Sequence, residues 1–337
     1  SPRPDRARPA LSWAAVRARL PDIQPRTYAW IATIALATLV IIVLTGAAVR
    51  VTGSGLGCPS WPDCNGSFIQ TELDTHGAIE YGNRLFTGVV SVATIAAALC
   101  AFLRVPYRRD LVLIGLLLPL GVVAQAVLGG LTVLFELQPG FVMGHFLLSQ
   151  LCIAAAAALA WRAWHEPGDR PRVADRWCVL PVRALLGYGG LVLFAGTMAT
   201  GAGPHAGASG TGELVDRIAF WGGHTMTRLI EWHGRMGTAL LIGAVIVWVI
   251  LRRRGANPEV RRAMTVVIGL ILVQGAVGLW QYEVGLPAEL VWIHVGVATF
   301  TWLALLWATA AAGTLAPATA AAVRPAQRAA MDDRVRA

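Results

Sequence analysis

Three histidines stand in stretches of sequence that otherwise hold almost no charge. His145, His233 and His294 each fall a few residues inside a long apolar segment. An imidazole within hydrocarbon is costly unless it is coordinated or hydrogen-bonded. Imidazoles on two helices of one bundle suit axial ligation of a haem iron, and His233 with His294 form such a pair. Plain interhelical hydrogen bonds are the simpler alternative. Zinc or copper fits less well, because no thiolate or carboxylate cluster adjoins these positions. A second group, His76, Glu80, Asn83 and Arg84, lies within one segment. Intervals of four place His76, Glu80 and Arg84 on one helical face. Glu80 with Arg84 reads either as a membrane-buried ion pair or as a proton donor or acceptor beside a cofactor edge. His76 reads as an iron ligand, as a propionate partner or as a proton relay. Arg84, Arg228 and Arg235 are candidates to pair with propionates.

The segments that carry these residues are those of a membrane protein. Hydrophobic residues make up 56% of the 337 and charged residues only 14%, against roughly 25% charge in soluble domains. Ala29 to Val49, Leu111 to Phe135, Leu137 to Trp161, Ala263 to Tyr282 and Leu290 to Val323 are each long enough to cross about 30 Å of hydrocarbon. Three less clean stretches, 76–103, 183–201 and 225–251, bring the count to eight spans. The net charge of +9 comes from arginine, with no lysine in the chain. The arginines gather before span 1, after spans 2, 4 and 6, and in the tail, all on one side of an eight-span arrangement. That is the positive-inside pattern, so both termini are expected in the cytoplasm and a basic nucleic-acid binder is disfavoured. The first span lacks a cleavage site and reads as a retained helix. The Ala- and Pro-rich tail is expected to be disordered.

The two halves of the chain repeat at an offset close to 149 residues. Gln125 precedes Gly129 by four and His145 by 20, and Gln274 stands in the same relation to Gly278 and His294. Glu80 to Arg84 corresponds to Glu231 to Arg235. Four spans per half, an even number, give a parallel repeat. The expected fold is therefore all-α, with two tandem pseudo-symmetric four-helix bundles. The expected divisions are 1–28, a cytoplasmic N-terminal segment; 29–163, the first bundle; 164–182, a cytoplasmic linker; 183–312, the second bundle; and 313–337, the tail. The three histidines fall at one depth in the outer half of the bilayer. Asn83 occupies the place of His233, so the first half pairs His145 with no second imidazole at that level. An open iron position suits turnover, and a bis-His iron suits electron transfer.

Cys58 and Cys64 fall in the first outer loop, in an oxidising compartment, where they can form a disulfide. The bridge reads as a structural staple or as a redox-active pair. The corresponding second-half loop has no cysteine and carries His205, which reads as a surface or propionate-facing residue. Cys100, Cys152 and Cys178 read as small buried hydrophobes.

Together these pieces resemble the haem A synthase family. The resemblance rests on Arg50-Val51-Thr52-Gly53-Ser54-Gly55-Leu56, the Cys58-Pro-x-Trp-Pro-x-Cys64 loop, Glu80 through Leu85, Gln125 to Thr132, His145 to Ser149, and His233 with His294, and covers residues 30–312. It implies that the second half binds a cofactor haem b through His233 and His294. It implies that the first half binds haem O as substrate, with Glu80 essential and His145 an axial ligand. The implied reaction oxidises the C8 methyl of haem O to the formyl of haem A through hydroxylated intermediates. The implied setting is the bacterial cytoplasmic (inner) membrane. Haem O synthase, terminal oxidase assembly factors and an unidentified electron-transfer partner are the expected associates. The chain departs from the family pattern in two places. Asn83 stands where many members have a histidine, and a second outer cysteine pair is missing. Two other readings stay open: a dihaem b-type electron-transfer cytochrome, and a haem chaperone or transporter.

Overall fold

A computed structural model describes residues 21–64, 66–67, 74–208, 210–212 and 215–316. The arginines up to Arg19 and the tail from 317 onward, expected to be disordered, lie outside the described residues. Eight long helices run through the rest: α1 (Pro25–Val51), α2 (Thr75–Leu103), α3 (Arg109–Leu134), α4 (Pro139–Trp164), α5 (Leu180–Ala202), α6 (Thr225–Arg253), α7 (Pro258–Glu283) and α8 (Ala288–Ala312). All eight are long and apolar enough to cross a membrane. Among the described residues one pair of strands joins Arg172–Val173 to Thr314–Leu315 in parallel. The start of the expected tail is thus ordered, because the Thr314 N–H donates to the Pro171 carbonyl and the Ala316 N–H to that of Val173.

Local chemistry sets the helix ends. Prolines open α1, α4, α5 and α7 at positions where a missing N–H costs nothing. Asp74 caps α2 by accepting from the Gly77 N–H at 2.8 Å. The last apolar stretch is cut short at Gly313, whose φ of 77° ends α8. Large apolar side chains stay uncovered along α3, among them Leu117, Leu120, Val123 and Val127. Such a stripe is stable only against an apolar solvent such as lipid.

The helices cluster in two groups. In one, α1 packs on α2 and α4, and α3 on α2 and α4; in the other, α5 packs on α6 and α8, and α7 on α6 and α8. The groups meet through α1 and α4 on one side and α5 and α8 on the other. Two indoles pin this seam. Trp292 Nε1 donates to the Leu44 carbonyl at 2.9 Å, and Trp302 Nε1 to the Gln150 carbonyl at 3.1 Å. One continuous apolar core runs across both groups. At the arginine-rich end, the buried Arg104 pairs with Glu166, and Arg108 binds Asp110 and the Arg162 carbonyl at 2.9 Å each.

Candidate functional site

In the first group the short outer loop is bound to α2. Cys58 and Cys64 form a disulfide, and both are buried. Glu80 Oε2 accepts from the Cys58 N–H at 2.8 Å. Arg84 Nη1 donates to the carbonyls of Ser60 and Asp63 at 2.8 and 2.7 Å. Its Nη2 donates to the Cys58 carbonyl at 2.8 Å and to Glu80 Oε1 at 2.6 Å. The i, i+4 spacing therefore puts a carboxylate under the loop's N–H and a guanidinium under its carbonyls. Both Nη groups of Arg84, a candidate propionate partner, are engaged by the loop and Glu80. Gly57 is required by close approach, since a Cβ there would sit 2.5 Å from the His76 carbonyl. Trp61 lies so close over Gly130 of α3 that a Cβ there would meet its ring at 2.6 Å.

His76 belongs to this outer layer. Its Nδ1 hydrogen-bonds Ser54 Oγ at 2.9 Å, and its ring abuts Gly210 of the second outer loop. That loop reaches across the seam. Arg50 Nε donates to the His205 carbonyl at 3.0 Å, and the Gly55 N–H to that of Gly207 at 2.7 Å. His205 was expected at the surface or beside a propionate. Instead its Nε2 hydrogen-bonds the Leu286 carbonyl at 2.8 Å, tying the second outer loop to the α7–α8 turn.

Below the loops lie the histidines, each set over a glycine of a neighbouring helix. His145 lies over Gly129, His233 over Gly196 and His294 over Gly278. A Cβ on any of these glycines would come within 3.0–3.1 Å of an imidazole Cε1. These glycines make room for the rings. The sequence did carry a signal for two of them, in the repeated Gln125-to-Gly129 and Gln274-to-Gly278 interval. Gln125 Nε2 also donates to the His145 carbonyl and to Ser149 Oγ, at 3.1 and 2.7 Å.

The His233 and His294 rings stand 6.1 Å apart between centroids, with their planes 72° apart. Metal–imidazole bonds of roughly 2.0–2.1 Å would put two rings on a shared metal about 6 Å apart, so the spacing fits. The buried Nδ1 atoms of His145, His233 and His294 have no hydrogen-bond partner among the described residues. The buried Oε1 atoms of Gln125 and Gln274 are likewise unpartnered among the described residues. Orphaned polar atoms at matched positions in both groups point to something these residues are built around. Among the described residues no three His, Cys, Asp or Glu side chains come together as a metal cluster. Two imidazoles with no other protein donors match a metal whose remaining positions a planar macrocycle fills.

The first group lacks the second imidazole. Asn83 Oδ1 accepts from Thr45 Oγ1 at 2.8 Å, and Gly46 beside it has nothing within 4 Å of where a Cβ would stand. On α6, the Arg228 guanidinium lies 5.6 Å from the Trp221 ring centre. Arg235 pairs with Glu231 at 3.1 Å, both side chains being more than half exposed. Cys152 and Cys178 are buried thiols, and Cys100 is partly buried.

A family model described as cytochrome oxidase assembly protein, COX15-CtaA, matches residues 29–209. Heme A synthase of Lysinibacillus sphaericus is 34% identical over 179 residues, covering 50% of this chain and 56% of that protein. Heme A synthase of Listeria welshimeri is 33% identical over 124 residues, covering 36% of this chain and 41% of its own length. Heme A synthase of an Exiguobacterium species is 25% identical over 246 residues, 72% of this chain and 79% of that protein. The chain thus spans about half the length of the first two relatives in these matches. It belongs to the COX15-CtaA family and is a multi-pass protein of a bacterial membrane.

Proposed function

On the premise of that membership, we propose that the chain oxidises the C8 methyl group of haem O to the formyl group of haem A. Residues 29–163 form the substrate half and residues 183–312 the half that holds a cofactor haem b, as a parallel repeat with both termini in the cytoplasm. The observation that carries this reading is the unequal equipment of the halves. One has paired imidazoles 6.1 Å apart; the other has one imidazole, His145, and a carboxylate bound to a disulfide loop.

His233 and His294 would hold the cofactor haem, which supplies one-electron transfer when bound. Gly196 and Gly278 fix the ring positions, and Arg228 and Arg235 lie on the same helix as His233, suited to carboxylate side arms. In the substrate half, His145 over Gly129 orients haem O, and the absence of a ligand at Asn83 leaves one face of its iron accessible. Methyl to formyl is a four-electron oxidation that takes up one oxygen atom and releases protons. Glu80 is the group suited to receive one, being a carboxylate held at this level by the Cys58 N–H and the Arg84 guanidinium. Arg84 positions Glu80 and the loop. Electrons leave through an unidentified partner. Haem O synthase and terminal oxidase assembly factors are the natural supplier and consumers, given a substrate too apolar to leave the bilayer.

Haem extraction and mass identification from the purified chain tests this. One b-type haem together with haem O or its hydroxylated or formyl products is expected. Two b-type haems with no conversion of added haem O would mean a dihaem cytochrome. Release of haem O unchanged would mean a carrier.

A further inference from the structure

A separate site lies at the arginine-rich ends of α6 and α7. Trp248, Arg252, Arg261, Arg262 and Thr265 line a cleft of about 160 Å³ there. The indole is fixed: Trp248 Nε1 donates to Thr265 Oγ1 at 3.0 Å, and that hydroxyl donates to the Arg261 carbonyl at 3.0 Å. Arg252 stacks on the same indole at 4.8 Å. The Nε of Arg261 is buried and has no partner among the described residues.

The contrast with the other arginines of this end is one of charge balance. Arg104, Arg108, Arg162 and Arg170 all pair with Glu166 or Asp110. Arg254, in the turn between α6 and α7, pairs with Asp175 at 2.7 Å, and this hydrogen bond holds that carboxyl below its ordinary range. Arg252, Arg261 and Arg262 have no ion pair among the described residues. The one carboxylate on the first turn of α7, Glu259, accepts from Trp307 Nε1 at 3.0 Å. Three uncompensated guanidinium groups around a cleft select an anion, and their fork geometry suits phosphate oxygens.

We propose that this cleft binds the phosphate headgroup of an anionic phospholipid. The cleft sits where two spans end, the depth at which lipid phosphates lie, and a tryptophan there is the usual interfacial anchor. One turn further into the spans, Val245 is exposed on α6, and Gly269 on α7 has nothing within 4 Å of a would-be Cβ. Both positions lie about one helical turn from residues of the cleft, which leaves uncovered surface for an acyl chain to lie on. A free phosphate would use only the polar half of this arrangement.

Native mass spectrometry of the full purified chain tests the site, with dioleoylphosphatidylglycerol, dioleoylphosphatidylcholine and inorganic phosphate as probes. Phosphatidylglycerol is expected to occupy one tight position, and phosphatidylcholine to need a higher concentration for the same occupancy. Each of Arg252→Gln, Arg261→Gln and Arg262→Gln should weaken that position about fivefold, whereas Arg109→Gln on α3 should leave it unchanged. The Arg261→Lys variant, which keeps the charge, should fall between wild type and Arg261→Gln. Haem content should be unaltered in all of them, which separates this site from the haem-binding reading. Equal retention of the two lipids, no change in the triple glutamine variant, or displacement by phosphate at equal concentration would each overturn the proposal. The last outcome would reassign the cleft to a free anion.

Discussion

Glu80–Arg84 and Glu231–Arg235 are the same i, i+4 pair set into the two halves, yet they do different work. The first is buried, with side-chain exposures of 7% and 21%, and its hydrogen bonds reach a disulfide loop. The second is exposed at 53% and 66%, and its one ion pair is internal. The difference comes from what folds over each helix. Ser54 to Cys64 descends onto α2, while the corresponding second-half loop is tied to Leu286 of its own half and crosses the seam to Arg50 and Gly55. Below the loops the imbalance reverses: the second half has two imidazoles and the first has one. Two groups of four helices thus differ in equipment: one has paired imidazoles, and the other has a carboxylate bound to a disulfide loop.

The division breaks most readily at the histidines. His294→Ala should abolish the low-spin bis-imidazole spectrum and lower affinity for the second-half haem by more than tenfold, since loss of outer-shell partners alone costs about 10–100-fold. His145→Ala should leave that spectrum intact and reduce only retained haem O. If both substitutions removed the same spectral component, the halves would not hold separate haems.

Glu80→Gln should lower turnover of haem O by about 10²–10⁴-fold, the usual weight of a general acid or base, with total haem unchanged. Glu231→Gln should change it less than about twofold, since an exposed ion pair is worth little. Equal losses would show that the carboxylates act through helix packing rather than through proton transfer.

The same contrast appears in stability. Arg84→Met removes four hydrogen bonds and strands Glu80 beneath the loop, which should cost about 3 kcal/mol. Arg235→Met should cost less than about 1 kcal/mol. Thermal unfolding in detergent measures both.

The spans were legible because stretches such as Ala29 to Val49 admit no other solvent than lipid, and the Cys58–Cys64 bridge was legible from spacing and compartment. The pairing of His233 with His294 followed from the cost of an imidazole in hydrocarbon. Other features depend on distant chain segments meeting, which no local pattern encodes. The ion pair of Arg84 with Glu80 was legible from the i, i+4 spacing, but its carbonyl acceptors belong to a loop more than 20 residues earlier. His205 looked exposed because its acceptor, Leu286, lies 81 residues further on. Thr314–Leu315 looked like tail because its partner strand is in the linker. The Gln-to-Gly interval was visible as a repeat, but its meaning, room for an imidazole ring, appears only once α3 packs on α4 and α7 on α8.

Asn83→His should move the first half toward the second. Asn83 is bonded to Thr45 of α1, and the next residue, Gly46, has nothing within 4 Å of a would-be Cβ, which favours room for a larger side chain in this region. The expected outcome is a second low-spin bis-imidazole signal when haem O is bound, with turnover reduced because the accessible iron face is filled. An unchanged spectrum would mean that helix α2 cannot present a ligand at that level.

The smallest expected effect is also the most direct comparison of the two frameworks. Gly46 and Gly196 occupy equivalent places on α1 and α5. At Gly196 a Cβ would stand 3.0 Å from His233 Cε1, whereas at Gly46 it would meet nothing within 4 Å. Gly196→Ala must therefore push the imidazole by a few tenths of an ångström, and off-optimum packing of this kind costs about 1–3 kcal/mol. That should appear as a shifted low-spin spectrum and weaker haem retention in the second half. Gly46→Ala should be silent in both measurements, and its removal of a helix glycine favours α1 by about 1 kcal/mol at most. Should the two alanines behave alike, the space beside Gly46 would be filled in the loaded protein, and the asymmetry between the halves would lie in what they bind rather than in how they are built.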